Sequence, residues 1–146
     1  MAVDVVTETV IARPPGVVAS VAMNPDDAPR WYVNIKAVEW KSPPPLRVGS
    51  RVAFVAHFLG RRLTYTYEIV ELVPNRRLVM RTAEGPFPME TTYELEPVDA
   101  SHTRMRLRNR GAPSGVFTLL GPLMAVAMRR ANRHDLARLK ELLEQP

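Results

Sequence analysis

The 146 residues contain no cysteine. Disulfides, thiolate nucleophiles and cysteine-based zinc sites are therefore excluded. Histidine is scarce: His57, His102 and His134 lie far apart and lack both HExxH spacing and a matching carboxylate motif, so neither a metal nor a cofactor is expected. The opening stretch, MAVDVVTETV, has no basic segment leading into an apolar run, which makes a cytoplasmic location the default expectation. No long hydrophobic run is present either. The most apolar stretch, GVFTLLGPLMAVAM (115–128), is shorter than the roughly 20 residues that cross a bilayer, and Pro122 interrupts it. With no repeat, linker or low-complexity tract, the expectation is one domain spanning 1–146.

What is present is ordinary for a folded protein: 46% hydrophobic and 24% charged residues, with a net charge of +5. The charge permits nucleic acid or an anionic membrane as a partner without requiring either. Fourteen prolines gather at apparent joints (Pro14-Pro15, Pro43 to Pro45, Pro86 and Pro88), where they fix turns without removing ladder donors. VDVVTETVIA (3–12) reads as a strand closed by RPP, and PPGVVASVAM as a short helix ending at Asn24-Pro25. DDAPRWYVN suggests a second short helix. From Ile35 to Gly111, β-branched and aromatic runs alternate with turn signals, the pattern of a meandering antiparallel sheet. The segment 123–145, free of glycine and proline and rich in Ala, Leu, Arg and Glu, predicts a long helix.

TRMRLRNRG (103–111) places arginine at every second position. A hairpin centred near Ala100 sets Arg104 opposite Glu96, Arg106 opposite Glu94, Arg108 opposite Thr92 and Arg110 opposite Glu90. A solvated ion-pair ladder is then preferred over a phosphate-binding surface, which argues against nucleic acid. The other face aligns Leu95 with Met105, Tyr93 with Leu107 and Thr91 with Asn109, and a slip of one residue would bury the arginines. At FLGRRL, a two-residue Gly60-Arg61 loop pairs Phe58 with Leu63, Ala56 with Tyr65, Phe54 with Tyr67 and Val52 with Ile69 on an apolar inner face. His57 then points to solvent. Continuing that parity turns Glu71 inward and Leu72 outward. Either a β-bulge after Ile69 corrects this, the favoured reading, or Glu71 is a buried acid with a function.

A single long helix is available to cover the inner face, and Met128, Asn132, Leu136, Leu139 and Leu143 fall on one side of it, flanked by Met124 and Leu142. Asn132 breaks the apolar stripe: it is either satisfied locally or faces a cavity and meets a ligand or water. The inner set also holds Phe54, Phe58, Tyr65, Tyr67, Thr91, Tyr93 and Asn109. Aromatic walls with sparse hydroxyls and amides describe a small-molecule pocket better than a solid core. Phe87, Phe117 and Leu120, on the loops EGPFPM and NRGAPSG and before the last helix, are candidates for an apolar lip or for packing at the sheet's open end.

The element order resembles the SRPBCC superfamily of START-related, polyketide cyclase/dehydrase and birch-pollen-allergen-like proteins. VIARPPGVVASVAMNPDDAPRWYVNI is similar to the family's strand, A-P-x-x-V helix start and tryptophan-containing second helix, with Arg13 set between Ala12 and Pro14 as a small departure. YEIVELVPNRRLVMR resembles its V-x-E-x-x-P-x-x-x-L segment and DLARLKELLE its closing helix. The resemblance implies an α+β helix-grip fold, β-α-α-β6-α, with a curved antiparallel sheet wrapped around the C-terminal helix. It also implies a hydrophobic ligand of the lipid, polyketide, sterol or quinone class. Some relatives cyclise or dehydrate polyketides and others carry or sense ligands, with no shared catalytic set to transfer. Three readings stay open: a carrier or sensor with a cavity; a cyclase/dehydratase-like enzyme using Tyr65, Tyr67, Tyr93 or Glu71; and an interaction module, which requires the arginine row to lack acidic partners. An inward acid with a raised pKa favours the enzyme, and an all-neutral wall the carrier.

Overall fold

Strand β1 (Val3–Ile11) alternates buried and exposed residues, the period-2 pattern of a sheet with one wet face. The computed structural model describes residues 3–58, 60–112 and 121–146, with the backbone alone at Phe58. After β1, Pro14 and Pro15 open helix α1 (Pro15–Ala22), where proline's missing N–H costs nothing. A 3-10 turn, Pro25–Asp27, follows, capped by the Asn24 side chain accepting from the Asp26 N–H at 3.1 Å. It leads into the four-residue helix α2 (Ala28–Trp31), which buries Trp31.

Six strands then meander: β2 (Ile35–Trp40), β3 (Arg51–Phe58), β4 (Arg61–Val73), β5 (Arg77–Glu84), β6 (Met89–Asp99) and β7 (His102–Gly111). The sheet order is β1-β7-β6-β5-β4-β3-β2, antiparallel throughout, with β1 closing against β7. Helix α3 (Gly121–Glu144) packs against β1 and carries the buried stripe Met124, Met128, Asn132, Asp135, Leu136, Leu139 and Leu143. The α+β helix-grip architecture expected from the sequence is the architecture observed.

The β6–β7 register is the expected one from Met89↔Gly111 to Pro97↔Thr103. At the β3–β4 hairpin the register differs from expectation. Phe58 pairs with Arg61, Ala56 with Leu63, Phe54 with Tyr65 and Val52 with Tyr67, so β4 is shifted by two residues. The turn lies between Phe58 and Arg61, and Gly60 takes a positive φ of 74° as its last residue, where a side chain would be strained. An even shift preserves parity, so the same side chains still face inward. The β4–β5 register breaks between Ile69 and Glu71, the bulge that restores Leu72 and Leu78 to the inner side. Glu71 is exposed and ion-paired with Arg77 at 3.1 Å, which removes it as a buried acid.

Candidate functional site: a cavity between the sheet and the last helix

The inner sheet face and α3 do not meet everywhere. Between them lies a cavity of about 120 Å³, walled on the sheet side by Phe54, Tyr65, Tyr67 and Asn109 and on the helix side by Met128, Asn132 and Asp135. Ile35, Leu63, Phe87 and Met89 complete its apolar lining. A second compartment of about 70 Å³ shares Phe54, Tyr67, Tyr32 and Asn109 with the first and adds Thr91 and Tyr93. Eight of the nine ligand-binding residues expected from the sequence thus surround one composite hollow. For the ninth, Phe58, the side chain lies outside the described residues, as do Phe117 and Leu120 of the anticipated lip. Phe87 is buried and meets the Tyr65 ring edge to face, with centroids 6.0 Å apart.

Local sequence explains how the walls are held. Tyr65 fits against the β5–β6 turn because residue 85 is glycine: a Cβ there would stand 2.7 Å from Tyr65 Cδ1. Phe54 and Tyr67 meet edge to face at 5.7 Å. Thr91 Oγ1 donates to Asn109 Oδ1 at 2.6 Å, which fixes the amide across adjacent strands and leaves its Nδ2 available as a donor. Tyr32 and Tyr93 share a hydrogen bond between their hydroxyls, and Trp31 packs against both, tilted on Tyr32 and edge-on to Tyr93.

The phenols are firmly neutral. Burial raises all four tyrosines, taking Tyr67 to about 12, and pushes Tyr65 and Tyr93 further still. Tyr32 is raised well above its ordinary value, first by burial and then by its neighbour Tyr93. Groups of this kind donate hydrogen bonds near neutral pH and cannot serve as bases.

Asp135 is different, and sequence reasoning missed it. The residue is 2% exposed, Oδ1 accepts the Val33 N–H at 2.7 Å, and burial raises its pKa from 3.8 to about 7, against the lowering effects of that hydrogen bond and of Arg138. It is therefore an acid–base group balanced near neutrality on a cavity wall. The sequence did hold a signal: residue 135 lies seven after Met128 and four before Leu139, on the same helical stripe. Tyr32 and Asn34, also on the wall, come from the short segment after α2, whose path no periodicity announces.

Two other candidates fall away. His57 is exposed on β3, facing Arg62 across the hairpin. The arginine row is ion-paired: Arg104 with Glu96 at 3.6 Å, Arg106 with Glu8 at 3.2 Å, Arg108 with Asp4 at 2.6 Å and Arg110 with Glu90 at 3.5 Å. Two of these acids come from β1 rather than β6, since Arg106 turns from its cross-strand neighbour Glu94 to Glu8, while Glu94 pairs with Arg77. The open basic patch required by an interaction module is absent from this row.

The model of a family described as polyketide cyclase / dehydrase and lipid transport matches residues 2–144. No curated protein sequence matches the chain. Among solved structures, a START superfamily protein from Mycobacterium smegmatis superposes with a TM-score of 0.84 at 14% identity, over 97% of each chain. A protein from Thermus thermophilus gives 0.82 at 22% identity over 96% of each chain. The Zhui aromatase/cyclase from a Streptomyces species gives 0.81 at 17% identity, over 97% of this chain and 93% of that one. At these identities the likeness is one of fold.

Proposed function

Because the chain belongs to the polyketide cyclase / dehydrase and lipid transport family, we propose that it acts as a single ligand-binding domain, a carrier or sensor that holds a hydrophobic small molecule between the sheet and α3. The observation that carries this reading is the apolar hollow of about 120 Å³ beside a second of about 70 Å³, with Tyr67 on the wall of both. An engineered cavity of about 150 Å³ takes up benzene. The first compartment therefore suits roughly one ring, and a polycyclic or chain-like ligand requires side chains common to both walls, Tyr32, Ile35, Phe54, Tyr67 and Asn109, to shift so that the two join. No described helix is long and apolar enough to cross a membrane.

Native mass spectrometry of protein purified without denaturation, followed by solvent extraction, tests the reading. A stoichiometric apolar molecule leaving with the protein supports it. An empty protein that no lipid, quinone or small aromatic stabilises thermally reduces the hollow to a packing defect.

A second reading is favoured by Asp135. A carboxyl poised near pH 7 beside a carbonyl ligand can remove an α-proton, after which a β-hydroxyl departs and takes a proton to leave as water, giving the enone. Tyr67, neutral, would donate to the carbonyl oxygen. Conversion of a β-hydroxyketone probe, followed by enone absorbance, supports this chemistry if Asp135→Asn abolishes it while probe binding persists. Unchanged conversion in the variant removes Asp135 from it.

A further inference from the structure

Asn132 sits on the middle of α3, is 4% exposed, and lines the larger compartment. Its Nδ2 is fully enclosed and has no hydrogen-bond partner among the described residues. A buried amide donor left in this condition is destabilising, whereas leucine at the same stripe position would simply extend the apolar contact. On the opposite wall, the Thr91 hydroxyl occupies Asn109 Oδ1, so that amide too offers its Nδ2 rather than its oxygen. The Tyr67 hydroxyl borders the same space and is neutral, so a ligand oxygen can take its proton in a hydrogen bond in place of the long 3.5 Å contact with the Thr91 hydroxyl. Asn109, Tyr67 and Asn132 thus each carry a donor on the walls of this hollow, Asn132 Nδ2 reaching it once the amide turns about χ2, and the Asp135 carboxyl stands three residues along α3 on the same wall. Hydrocarbon would leave the donors unanswered, while an oxygen acceptor would satisfy them.

We propose that Asn132 is a specificity-determining residue, selecting from the apolar molecules that fit the cavity those that carry a ketone or comparable oxygen acceptor. The inference rests on the cavity being a binding site. Selectivity arises because a site arranged to hydrogen-bond a ligand group rejects the analogue lacking it, which leaves buried protein atoms unpaired.

Acetophenone and α-methylstyrene form a suitable probe pair, equal in shape and differing only in C=O against C=CH₂. Titrated calorimetrically into the full chain, acetophenone is expected to bind about tenfold or more tightly. In Asn132→Leu the preference should fall severalfold, with α-methylstyrene still bound and the Asn109 amide and Tyr67 hydroxyl left to hold what remains of it. Because the leucine variant could repack the cavity, the wild-type side-chain amide is followed in parallel by NMR: both phenyl rings will shift the Asn132 NH₂ signals, and acetophenone alone should add the downfield displacement of a hydrogen-bonded proton. Equal affinities in the wild type, or a preference undiminished in Asn132→Leu, overturns the assignment while leaving the cavity a binding site. Binding of neither probe overturns the cavity reading and this inference with it.

Discussion

Asp135 binds the Val33 N–H through one oxygen and lies in a wall that water scarcely reaches, so its proton is coupled to folding. The folded state holds that proton up to about pH 7, whereas the unfolded chain releases it near the ordinary value of 3.8. The folded protein thus binds more protons between these values, and stability declines as pH rises through the window, by at most about 4 kcal/mol at 1.36 kcal/mol per pKa unit. Urea denaturation at pH 5 and pH 8 should show the wild type losing stability and Asp135→Asn, which keeps an oxygen for Val33, nearly unchanged. Equal losses in both would place the titration elsewhere. At this scale the sequence was least legible. Tyr65, Tyr67, Tyr93, Asn109 and Asn132 could be placed on the inner face by parity and helical spacing, but an aspartate within RRANRHDLARLKE reads as solvent-facing because charged residues are rarely buried without a partner.

Helix α3 is held mainly by its apolar stripe. Leu139 is 0% exposed within that stripe, so Leu139→Ala should cost about 2 to 5 kcal/mol, depending on how far the site collapses, measured as a shift in denaturation midpoint at constant m-value. The arginine ladder behaves in the opposite way. Arg108 and Asp4 are both substantially exposed although 2.6 Å apart, so Arg108→Ala should cost less than about 1 kcal/mol and leave ligand affinity unchanged. A larger loss, or a change in affinity, would return that face to functional consideration. Elements of this kind were readable in advance because alternation of period two and apolar spacing near 3.6 survive small errors of register. The β3–β4 hairpin shows the limit: assigning Gly60 to the first loop position shifted every pair by two residues, yet the inner set was unaffected because the shift was even. The bulge at Ile69/Glu71 was legible for the same reason, since only a change of parity reconciles Glu71 with Leu72. The ion pairs from β1 were not, because nothing local says that the first strand will lie beside the last.

For the molecule as a whole, a seven-stranded sheet curled around one helix encloses more space than the helix fills, and the remainder is either a binding site or a packing fault. The two possibilities respond differently to filling. Ala131 on α3 lines the larger compartment, and Ala131→Leu would place three further carbons into it. In a packing fault the added methyl groups gain contact without loss of any activity, so the variant would be stabilised and its ligand behaviour unchanged from an inert wild type. In a binding site the same carbons occupy the ligand's position: acetophenone affinity should fall at least about tenfold while the thermal midpoint of the free protein holds or rises, because filling an existing void avoids the strain of overpacking. A loss of affinity accompanied by a fall in midpoint would instead signal a distorted wall. Asn132→Leu serves as the companion variant, since it alters the same wall through chemistry rather than volume. If the cavity is a site, Ala131→Leu should reduce affinity for acetophenone and α-methylstyrene alike, whereas Asn132→Leu should reduce affinity for acetophenone alone.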